Sequence, residues 1–183
     1  MGLRQKLKAA GKLVLGVPVL YIARKLNAAR VSAEQRALMR QLGGCHRDLE
    51  IVHPWDIRGP EHIYIGRNTF IGPRVLLIVH PETEIRIGDK VMFGPSVSII
   101  TSNHRHNLTQ QATRDSGYDF GSVTIQDDVW VGAGAIILKG VTVGRGSVIG
   151  AGAVITKNIG EYEVWAGNPA RKIRDRFQKS AEK

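Results

Sequence analysis

The carboxyl-terminal half of the chain carries an aliphatic residue at every sixth position between residues 125 and 155. These positions are Ile125, Val131, Ile137, Val143, Ile149 and Ile155. An α-helix repeats every 3.6 residues and a strand every two, so neither element alone gives every sixth residue the same environment. The spacing predicts a coil of short straight sides, each of which turns one aliphatic side chain inward.

Small residues recur in phase with this aliphatic ladder. Four residues after each of the first five aliphatic positions the chain has a small or β-branched residue, namely Val129, Ala135, Val141, Ser147 and Ala153. Gly132, Gly144 and Gly150 directly follow three of the aliphatic positions, and glycine permits a sharp bend or a close approach of two backbones. We therefore predict a mainly β fold: a parallel β-helix of hexapeptide repeats, with three sides to each turn and parallel pairing between stacked turns.

The same spacing begins earlier in the chain, where it is interrupted. The inward positions predicted there are Ile51, Ile57, Ile63, Ile65, Ile71, Leu77, Ile87, Phe93 and Ile99. The register of the six-residue spacing shifts by two residues between Ile63 and Ile65, and the spacing is interrupted again over residues 79–84. Residues 102–121 are polar and lack the ladder, which predicts a loop extruded from one corner of the coil. Long loops in compact domains are usually functional or disordered. With this loop included, the β-helix domain is predicted to span residues 48–168.

Both ends of the chain differ from the repeats. Residues 1–47 are predicted to form a helical arm or cap, whose first apolar stripe is Leu3, Leu7, Ala10, Val14 and Val17. Ser32 and Gln35 resemble a capping box and Gly43 a stop signal, which predicts a helix near residues 33–42. Residues 169–183 form a basic tail, for which a final helix and a frayed end are both open.

The formal charge of +10 is concentrated in the arm, where residues 1–47 hold ten basic side chains and one acidic side chain, Glu34. Such an arm favours an anionic partner, and residues 1–30 would then lie on an anionic membrane surface. The alternative is that these residues cap the coil. Tyr21 is the one aromatic residue of the arm, which gives no support for stacking on nucleic acid. The single cysteine, Cys45, and the short apolar stretch at residues 13–22 predict a cytoplasmic protein, with peripheral contact at the inner face of the membrane as an alternative.

Four segments together resemble the hexapeptide-repeat acyltransferases, in the branch of the maltose, galactoside and related sugar O-acetyltransferases. The segments are Thr101-Ser102-Asn103-His104, Asp127-Asp128-Val129-Trp130-Val131-Gly132, the run from Gly150 to Lys157, and Ala166-Gly167-Asn168-Pro169-Ala170-Arg171. Their order and separation agree with that family over most of the chain, roughly residues 57–174. The resemblance implies a left-handed β-helix and a homotrimer whose active sites lie between neighbouring subunits.

The resemblance also implies acetyl coenzyme A as the donor, no required metal, and a set of site residues. It places His104 at the position of the catalytic base. The positions that would contact the coenzyme are Trp130, Ala133, Ala151, Thr156, Lys157, Arg171 and Arg174. Ala133 and Ala151 also suit a tight corner, whereas Lys157 and Arg171 have no evident packing reason to lie at the end of the coil.

The chemistry of acetyl transfer agrees with these residue types. A hydroxyl that attacks a thioester must lose its proton, and histidine is the side chain whose pKa suits that task near neutral pH. On the acceptor side, Arg74 follows Gly72 and Pro73 where galactoside-type members have an asparagine, which favours a larger or anionic acceptor. His106, Asp115 and Tyr118 are the other predicted acceptor contacts.

The sequence therefore predicts an acetyl coenzyme A-dependent O-acetyltransferase that acts on a saccharide hydroxyl, such as that of a cell-surface polysaccharide or a lipid-linked sugar. An antibiotic or amino-sugar N-acetyltransferase and a structural β-helix subunit with a basic interaction arm are the alternatives. A β-helical carbonic anhydrase, with zinc held by three histidines, is a more distant one. Cys45 and His46 lack the second pair of ligands that a zinc site needs.

Overall fold

The computed structural model describes residues 25–26, 28–106 and 112–177. The first nine strands are β1 Gly44–Cys45, β2 Glu50–Ile51, β3 Trp55–Arg58, β4 Ile63–Ile65, β5 Phe70–Ile71, β6 Val75–Ile78, β7 Ile85–Ile87, β8 Met92–Phe93 and β9 Ser98–Ile100. The other strands are β10 Ser102–His104, β11 Tyr118–Phe120, β12 Val123–Ile125, β13 Trp130–Val131, β14 Ile136–Ile137, β15 Thr142–Val143, β16 Val148–Ile149, β17 Val154–Ile155, β18 Glu163–Gly167 and β19 Ala170–Asp175. Two 3₁₀ turns cover Pro60–His62 and Thr113–Asp115, and residues 25–26 and 28–41 are α-helical.

The strands form three parallel sheets that the chain visits in rotation. Sheet A contains β1, β4, β7, β12 and β15; sheet B contains β2, β5, β8, β13, β16 and β18; sheet C contains β3, β6, β9, β14 and β17. Each turn of the coil adds one strand to each sheet, so that Trp130 of sheet B pairs with Met92 of the preceding turn and Val148 of the following one. The predicted parallel β-helix of hexapeptide repeats is confirmed.

The core is the inside of this three-sided coil. The six aliphatic residues spaced by six between residues 125 and 155 are each at most 1% exposed, as the ladder predicts. Burial of one such side chain stabilises the fold by about 1.5–3 kcal/mol, so the stacked ladder is the main source of stability. Of the nine earlier predicted inward positions, eight are buried and Ile57 is half-buried.

Glycine is required at the corners because neighbouring turns approach closely there. A Cβ atom on Gly132 would lie 2.6 Å from the backbone nitrogen of Ala151, which belongs to the next turn. The left-handed backbone conformation occurs two positions later, at Gly134 (φ 68°). In an earlier turn the same corner position is occupied by Arg74 (φ 60°). Within one corner, the close approach of two turns therefore occurs at Gly132 and the left-handed bend occurs at Gly134.

Every interruption of the repeat lies at the edge where the chain passes from sheet C to sheet A. The break at residues 79–84 lies between β6 and β7, and the extruded segment lies between β9 and β12. That segment contains regular structure, because β10 and β11 pair antiparallel with Ser102 opposite Phe120 and His104 opposite Tyr118. The predicted loop is thus a β-hairpin, which we call the extruded hairpin (residues 102–106 and 112–120).

The carboxyl-terminal end differs from its prediction. The coil continues beyond Asn158: Ile159 bridges to Val143, and Trp165 pairs opposite Ile149. The basic tail, expected to be helical or frayed, instead forms β19, which pairs antiparallel with β18. Lys172 of β19 forms ion pairs of 2.7 Å with Glu163 of β18 and with Asp175 of its own strand, and the pair with Glu163 joins the tail to the last strand of the coil.

The amino-terminal helix also begins earlier than its prediction. Ser32 lies inside the helical stretch of residues 28–41, where its hydroxyl donates to the carbonyl of Ala28. It bonds backward along the helix and does not cap a helix that starts at residue 33. Sheet pairing begins at Gly44, within the predicted arm. The apolar stripe predicted at residues 3–17 lies outside the described residues, and no described helix is long and apolar enough to cross a membrane.

Candidate active site

The extruded hairpin holds His104 beside an aromatic ring. His104 ends β10 and pairs with Tyr118, which begins β11. Residues directly opposite each other in an antiparallel pair direct their side chains to the same face, and here the two ring centroids are 4.2 Å apart with an interplanar angle of 36°. His104 is exposed, and within the described part of the chain its ring nitrogens have no hydrogen-bond partner. The imidazole is therefore free to exchange a proton with a bound molecule.

A second histidine, which the sequence did not assign to the site, packs against the same hairpin. The ring of His80 stacks on Phe120 with centroids 4.4 Å apart and an interplanar angle of 6°. Its Nδ1 accepts a hydrogen bond of 3.3 Å from the backbone nitrogen of Glu82. His80 lies where the chain passes from sheet C to sheet A in the preceding turn. The break in the repeat at residues 79–84 was the sequence signal that could have pointed to it. A small pocket of about 300 Å³ adjoins this passage, lined by His62, Pro81, Glu82, Thr83, Glu84 and Ser122.

The other predicted acceptor residues are distributed between two edges of the coil. His106 and Asp115 are exposed on the extruded hairpin, with Asp115 in the 3₁₀ turn Thr113–Asp115. Arg74 lies elsewhere, at the corner between sheets B and C, where its Nε donates a 3.2 Å hydrogen bond to Ser96. The structure brings His106, Asp115 and Tyr118 to the hairpin with His104 and leaves Arg74 at another edge.

The predicted coenzyme residues also divide between edges of one chain. Trp130 projects outward from sheet B and is 51% exposed, and Ala133 and Ala151 occupy successive B-to-C corners. Thr156 and Lys157 follow β17 at the C-to-A edge, the same edge from which the extruded hairpin emerges. Within one chain, therefore, the His104 edge and the Trp130 face are separate features.

The basic residues at the end of the coil have different surroundings. The Lys157 ammonium lies 5.5 Å from the centroid of the buried Trp165 ring, so it does have a packing partner, contrary to the sequence interpretation. Arg171 and Arg174 are exposed on β19, and their guanidinium groups donate hydrogen bonds to backbone carbonyls of residues 170, 175 and 176. Neither forms an ion pair within the described residues, so both remain available to an anionic group.

Glu163 connects the strands that carry these cations. Lys172 donates to Oε1 at 2.7 Å, and this bond is the main reason that the pKa of Glu163 is below its ordinary value. The indole of Trp165 and the backbone nitrogen of Gly160 donate to Oε2 at 2.8 and 2.9 Å and lower the pKa further, against the opposing effect of burial. The carboxylate therefore fixes β18, β19 and the last corner together.

Two further features bear on ligands. A groove of about 630 Å³ runs along the outer face of sheet A, past Tyr64, Arg86, Thr124 and Arg145, and none of the predicted site residues lines it. Among the residues that the structure describes, no three His, Cys, Asp or Glu side chains converge as a metal site would require.

Comparison with known proteins identifies the family of this chain. The family model of bacterial transferase hexapeptide repeats matches residues 122–157. A Schizosaccharomyces pombe protein, named for an inferred acetyltransferase activity, is 33% identical over 192 aligned positions that cover 89% of each chain. The maltose O-acetyltransferase of Clostridium difficile 630 is 32% identical, with a TM-score of 0.69 over 79% of this chain and 75% of that one.

A third similar protein has been solved with its donor. The hexapeptide-repeat acetyltransferase of Vibrio cholerae in complex with acetyl coenzyme A is 29% identical, with a TM-score of 0.73 over 80% of this chain and 79% of that one. The shared coil confirms the predicted left-handed β-helix. The chain therefore belongs to the hexapeptide-repeat acyltransferases, in the sugar O-acetyltransferase branch.

Proposed function

We propose that this protein transfers the acetyl group of acetyl coenzyme A to a hydroxyl of a saccharide, with His104 as the general base. The observation that carries this proposal is the exposed His104 imidazole, which has no hydrogen-bond partner within the described residues and lies on a hairpin that leaves the coil. A neutral ring nitrogen in that setting can accept the proton of an attacking hydroxyl.

The reaction balances with His104 as the single proton carrier. The acceptor oxygen attacks the thioester carbonyl carbon as its proton moves to the imidazole, which forms a tetrahedral oxyanion. Collapse of the oxyanion breaks the carbon–sulfur bond, and the imidazolium returns the proton to the departing thiolate. The products are an O-acetyl ester and the free thiol of coenzyme A, and His104 is again neutral.

We assign the coenzyme to Trp130, Ala133 and Ala151 on sheet B and its corners, to Thr156 and Lys157 at the C-to-A edge, and to Arg171 and Arg174 on β19. The exposed guanidinium groups of Arg171 and Arg174 suit the coenzyme phosphates, since guanidinium pairs well with phosphate oxygens. The outward face of sheet B supplies an apolar surface, because the paired residues Phe70, Met92, Trp130 and Val148 form one ladder across it. Met92 and Trp130 are each about half exposed in the single chain.

We further propose that the active site is shared between subunits of a homotrimer. His104 and Trp130 belong to different edges of one chain, so a neighbouring copy is needed to bring a hairpin to a sheet B face. Sheet B is apolar outward, whereas the outward ladder of sheet A is Tyr64, Arg86, Thr124 and Thr142. Burial of the apolar face of sheet B between copies would stabilise such an assembly.

The acceptor is proposed to be a saccharide of the cell surface or a lipid-linked sugar, contacted by His106, Asp115 and Tyr118 on the hairpin and by Arg74 of another edge. Exposed hydroxyl, imidazole and carboxylate groups are suited to hydrogen bonding with sugar hydroxyls. Release of the coenzyme thiol, measured across a panel of glycans and of amine acceptors, distinguishes O-acetylation from N-acetylation of an antibiotic or amino sugar.

Replacement of His104 by alanine tests the proposed base. Turnover by His104→Ala is expected to fall by about 10²–10⁴-fold, the usual contribution of a positioned base, while coenzyme binding and the melting temperature stay near those of the wild type. Thiol release and calorimetric binding of coenzyme A check the two expectations. Retention of more than about a tenth of the wild-type turnover would show that another group is the base.

The shared site is tested with the same variant in mixed assemblies. His104→Ala subunits and Trp130→Ala subunits, each impaired alone, are combined by co-expression under separate tags. Mixed assemblies contain some sites with both native residues, so their turnover should exceed that of either parent. The double variant His104→Ala/Trp130→Ala, mixed in the same way with His104→Ala, is the matched control. No gain in the first mixture would place both residues in a site within one chain.

A further inference from the structure

One face of the extruded hairpin carries a row of rings that begins at the proposed base. Side chains alternate between the two faces of a strand, so Tyr118 and Phe120 share a face of β11. The antiparallel register places them opposite His104 and Ser102. Asp119, between them, belongs to the other face, where it forms an ion pair of 3.1 Å with Arg105.

The row is attached to the coil through His80. Its ring stacks on Phe120 and lies 6.4 Å, centroid to centroid, from Tyr118. The backbone nitrogen of His80 donates to the hydroxyl of Thr101 at 2.8 Å. That hydroxyl is buried and also receives a 2.7 Å bond from Thr83. A rigid part of the coil thereby holds the strand that carries Tyr118.

His104 itself has no polar group to orient it within the described residues. A catalytic histidine is often held by a carboxylate on its second nitrogen, which fixes the ring and its tautomer. Here the neighbouring acidic residue of the hairpin, Asp119, projects from the opposite face and pairs with Arg105. The contact that His104 does have is the Tyr118 ring at 4.2 Å.

We propose that Tyr118 is a positioning residue that orients the His104 imidazole through the face of its ring, and that His80 and Phe120 hold Tyr118 in place. This inference rests on the proposed function, in which His104 is the base. Contact through the ring face leaves both imidazole nitrogens open, one for the acceptor hydroxyl and one for solvent. The contact of the Tyr118 ring with His104 is a separate role from the proposed contact of the Tyr118 hydroxyl with the acceptor, and the two can be removed independently.

Three variants of β11 separate these roles. In Tyr118→Ala the imidazole loses its orienting contact, so kcat should fall about 10- to 100-fold, the usual cost of a misplaced reacting group. The KM for acetyl coenzyme A and the melting temperature should stay unchanged, since the Tyr118 side chain is 45% exposed. Tyr118→Phe keeps the ring that orients His104 and should retain wild-type kcat, while loss of the hydroxyl proposed to contact the acceptor should raise the KM for the acceptor. Asp119→Ala, the neighbour on the opposite face, is the matched control and should retain both the wild-type kcat and the wild-type KM for the acceptor.

A measurement without turnover tests the contact directly. Protons held over an aromatic face resonate upfield, so the His104 ring protons, assigned by their loss in His104→Ala, should be shifted upfield in wild type and in Tyr118→Phe. In Tyr118→Ala that shift should disappear. Wild-type kcat in Tyr118→Ala would overturn the proposal, and so would an equal loss in Tyr118→Phe, which would make the hydroxyl the important group.

The outcomes also separate this proposal from the proposed function. If His104→Ala remains active, His104 is not the base, whatever the spectrum of Tyr118→Ala shows. If His104→Ala is inactive and Tyr118→Ala is fully active, the base assignment stands and the positioning role is wrong. An equal loss of kcat in Asp119→Ala would show a requirement for the strand as a whole, which also overturns a specific role for the Tyr118 ring.

Discussion

Gly132 occupies a point where two turns of the coil approach closely. The nearest atoms to a Cβ added at this residue are backbone atoms, with the Ala151 nitrogen at 2.6 Å and the Ile149 carbonyl oxygen at 2.8 Å. Backbone atoms of paired strands cannot move aside without loss of their hydrogen bonds, and Gly132 itself donates to the carbonyl of Ile149. The corner is therefore intolerant of a single methyl group.

Replacement of Gly132 by alanine is expected to lower the free energy of unfolding by about 1–3 kcal/mol, the range for overpacking a close contact. Urea denaturation at matched protein concentration measures this change. Lys139→Ala, at the next corner and without an ion pair among the described residues, is the control and should stay within about 0.5 kcal/mol of wild type. An unchanged midpoint in Gly132→Ala would mean that the corner relaxes freely.

The element that closes the described coil is the pair of strands β18 and β19. Glu163 is the residue that joins them, because its carboxylate accepts hydrogen bonds from Gly160, Trp165 and Lys172. A glutamine in its place would direct an amide group, itself a donor, toward at least one of these donors. The terminal strands should then separate more easily from the rest of the coil.

Glu163→Gln is expected to destabilise the protein by about 1–3 kcal/mol at pH 7, the usual value for hydrogen bonds to a charged group. The pKa of Glu163 is below its ordinary value, so the wild-type advantage is complete above the ordinary glutamate pKa of about 4.3. It is lost as the pH falls through the lowered pKa, because the folded wild type then becomes protonated. Urea midpoints measured at pH 7 and at stepwise lower pH values check both statements.

Glu161→Gln is the matched control for this titration. Glu161 lies two residues before Glu163 and its side chain is exposed, so the substitution removes the same charge from the surface. It should follow wild type at every pH. A gap between Glu163→Gln and wild type that is the same at pH 7 and below the lowered pKa would mean that the effect is one of packing, unrelated to the carboxylate charge.

The elements differ in how far the sequence alone predicts them. The inward ladder from Ile125 to Ile155 was predictable because its period is local and every turn repeats it. The strand β19 was not, because its pairing depends on Glu163 and the partner strand, which a tail of mixed charge does not reveal. The His80–Phe120 stack was missed for the same reason, since the two residues meet only after the coil has made a full turn. His104 and Tyr118 were both named from the sequence, while their mutual contact came from strand register.

At the scale of the whole molecule the charge is uneven, with ten basic residues and one acidic residue in the first 47 positions. The predicted contact of residues 1–30 with an anionic membrane surface remains a prediction, as residues 1–24 and 27 lie outside the described part of the chain. Each basic group near such a surface contributes about 1 kcal/mol to binding. That contact would bring the enzyme to lipid-linked saccharides.

Liposome sedimentation tests this role of the arm. The full-length protein should sediment with vesicles that contain anionic lipid at low salt, and should be released as salt screens the attraction. A variant that begins at residue 31 should remain in the supernatant while it keeps its thiol-release activity. Equal sedimentation with vesicles of neutral lipid would contradict an electrostatic contact.

The passage from sheet C to sheet A accommodates every interruption of the repeat, and the other two edges accommodate none. Changes of length on this one side leave the ladder and the close glycine corners in register. Changes in the hairpin can therefore leave the ladder and the outward face of sheet B as they are. We expect that exchange of this hairpin between related coils would alter the proposed acceptor contacts, which makes this edge the natural joint for engineering substrate choice.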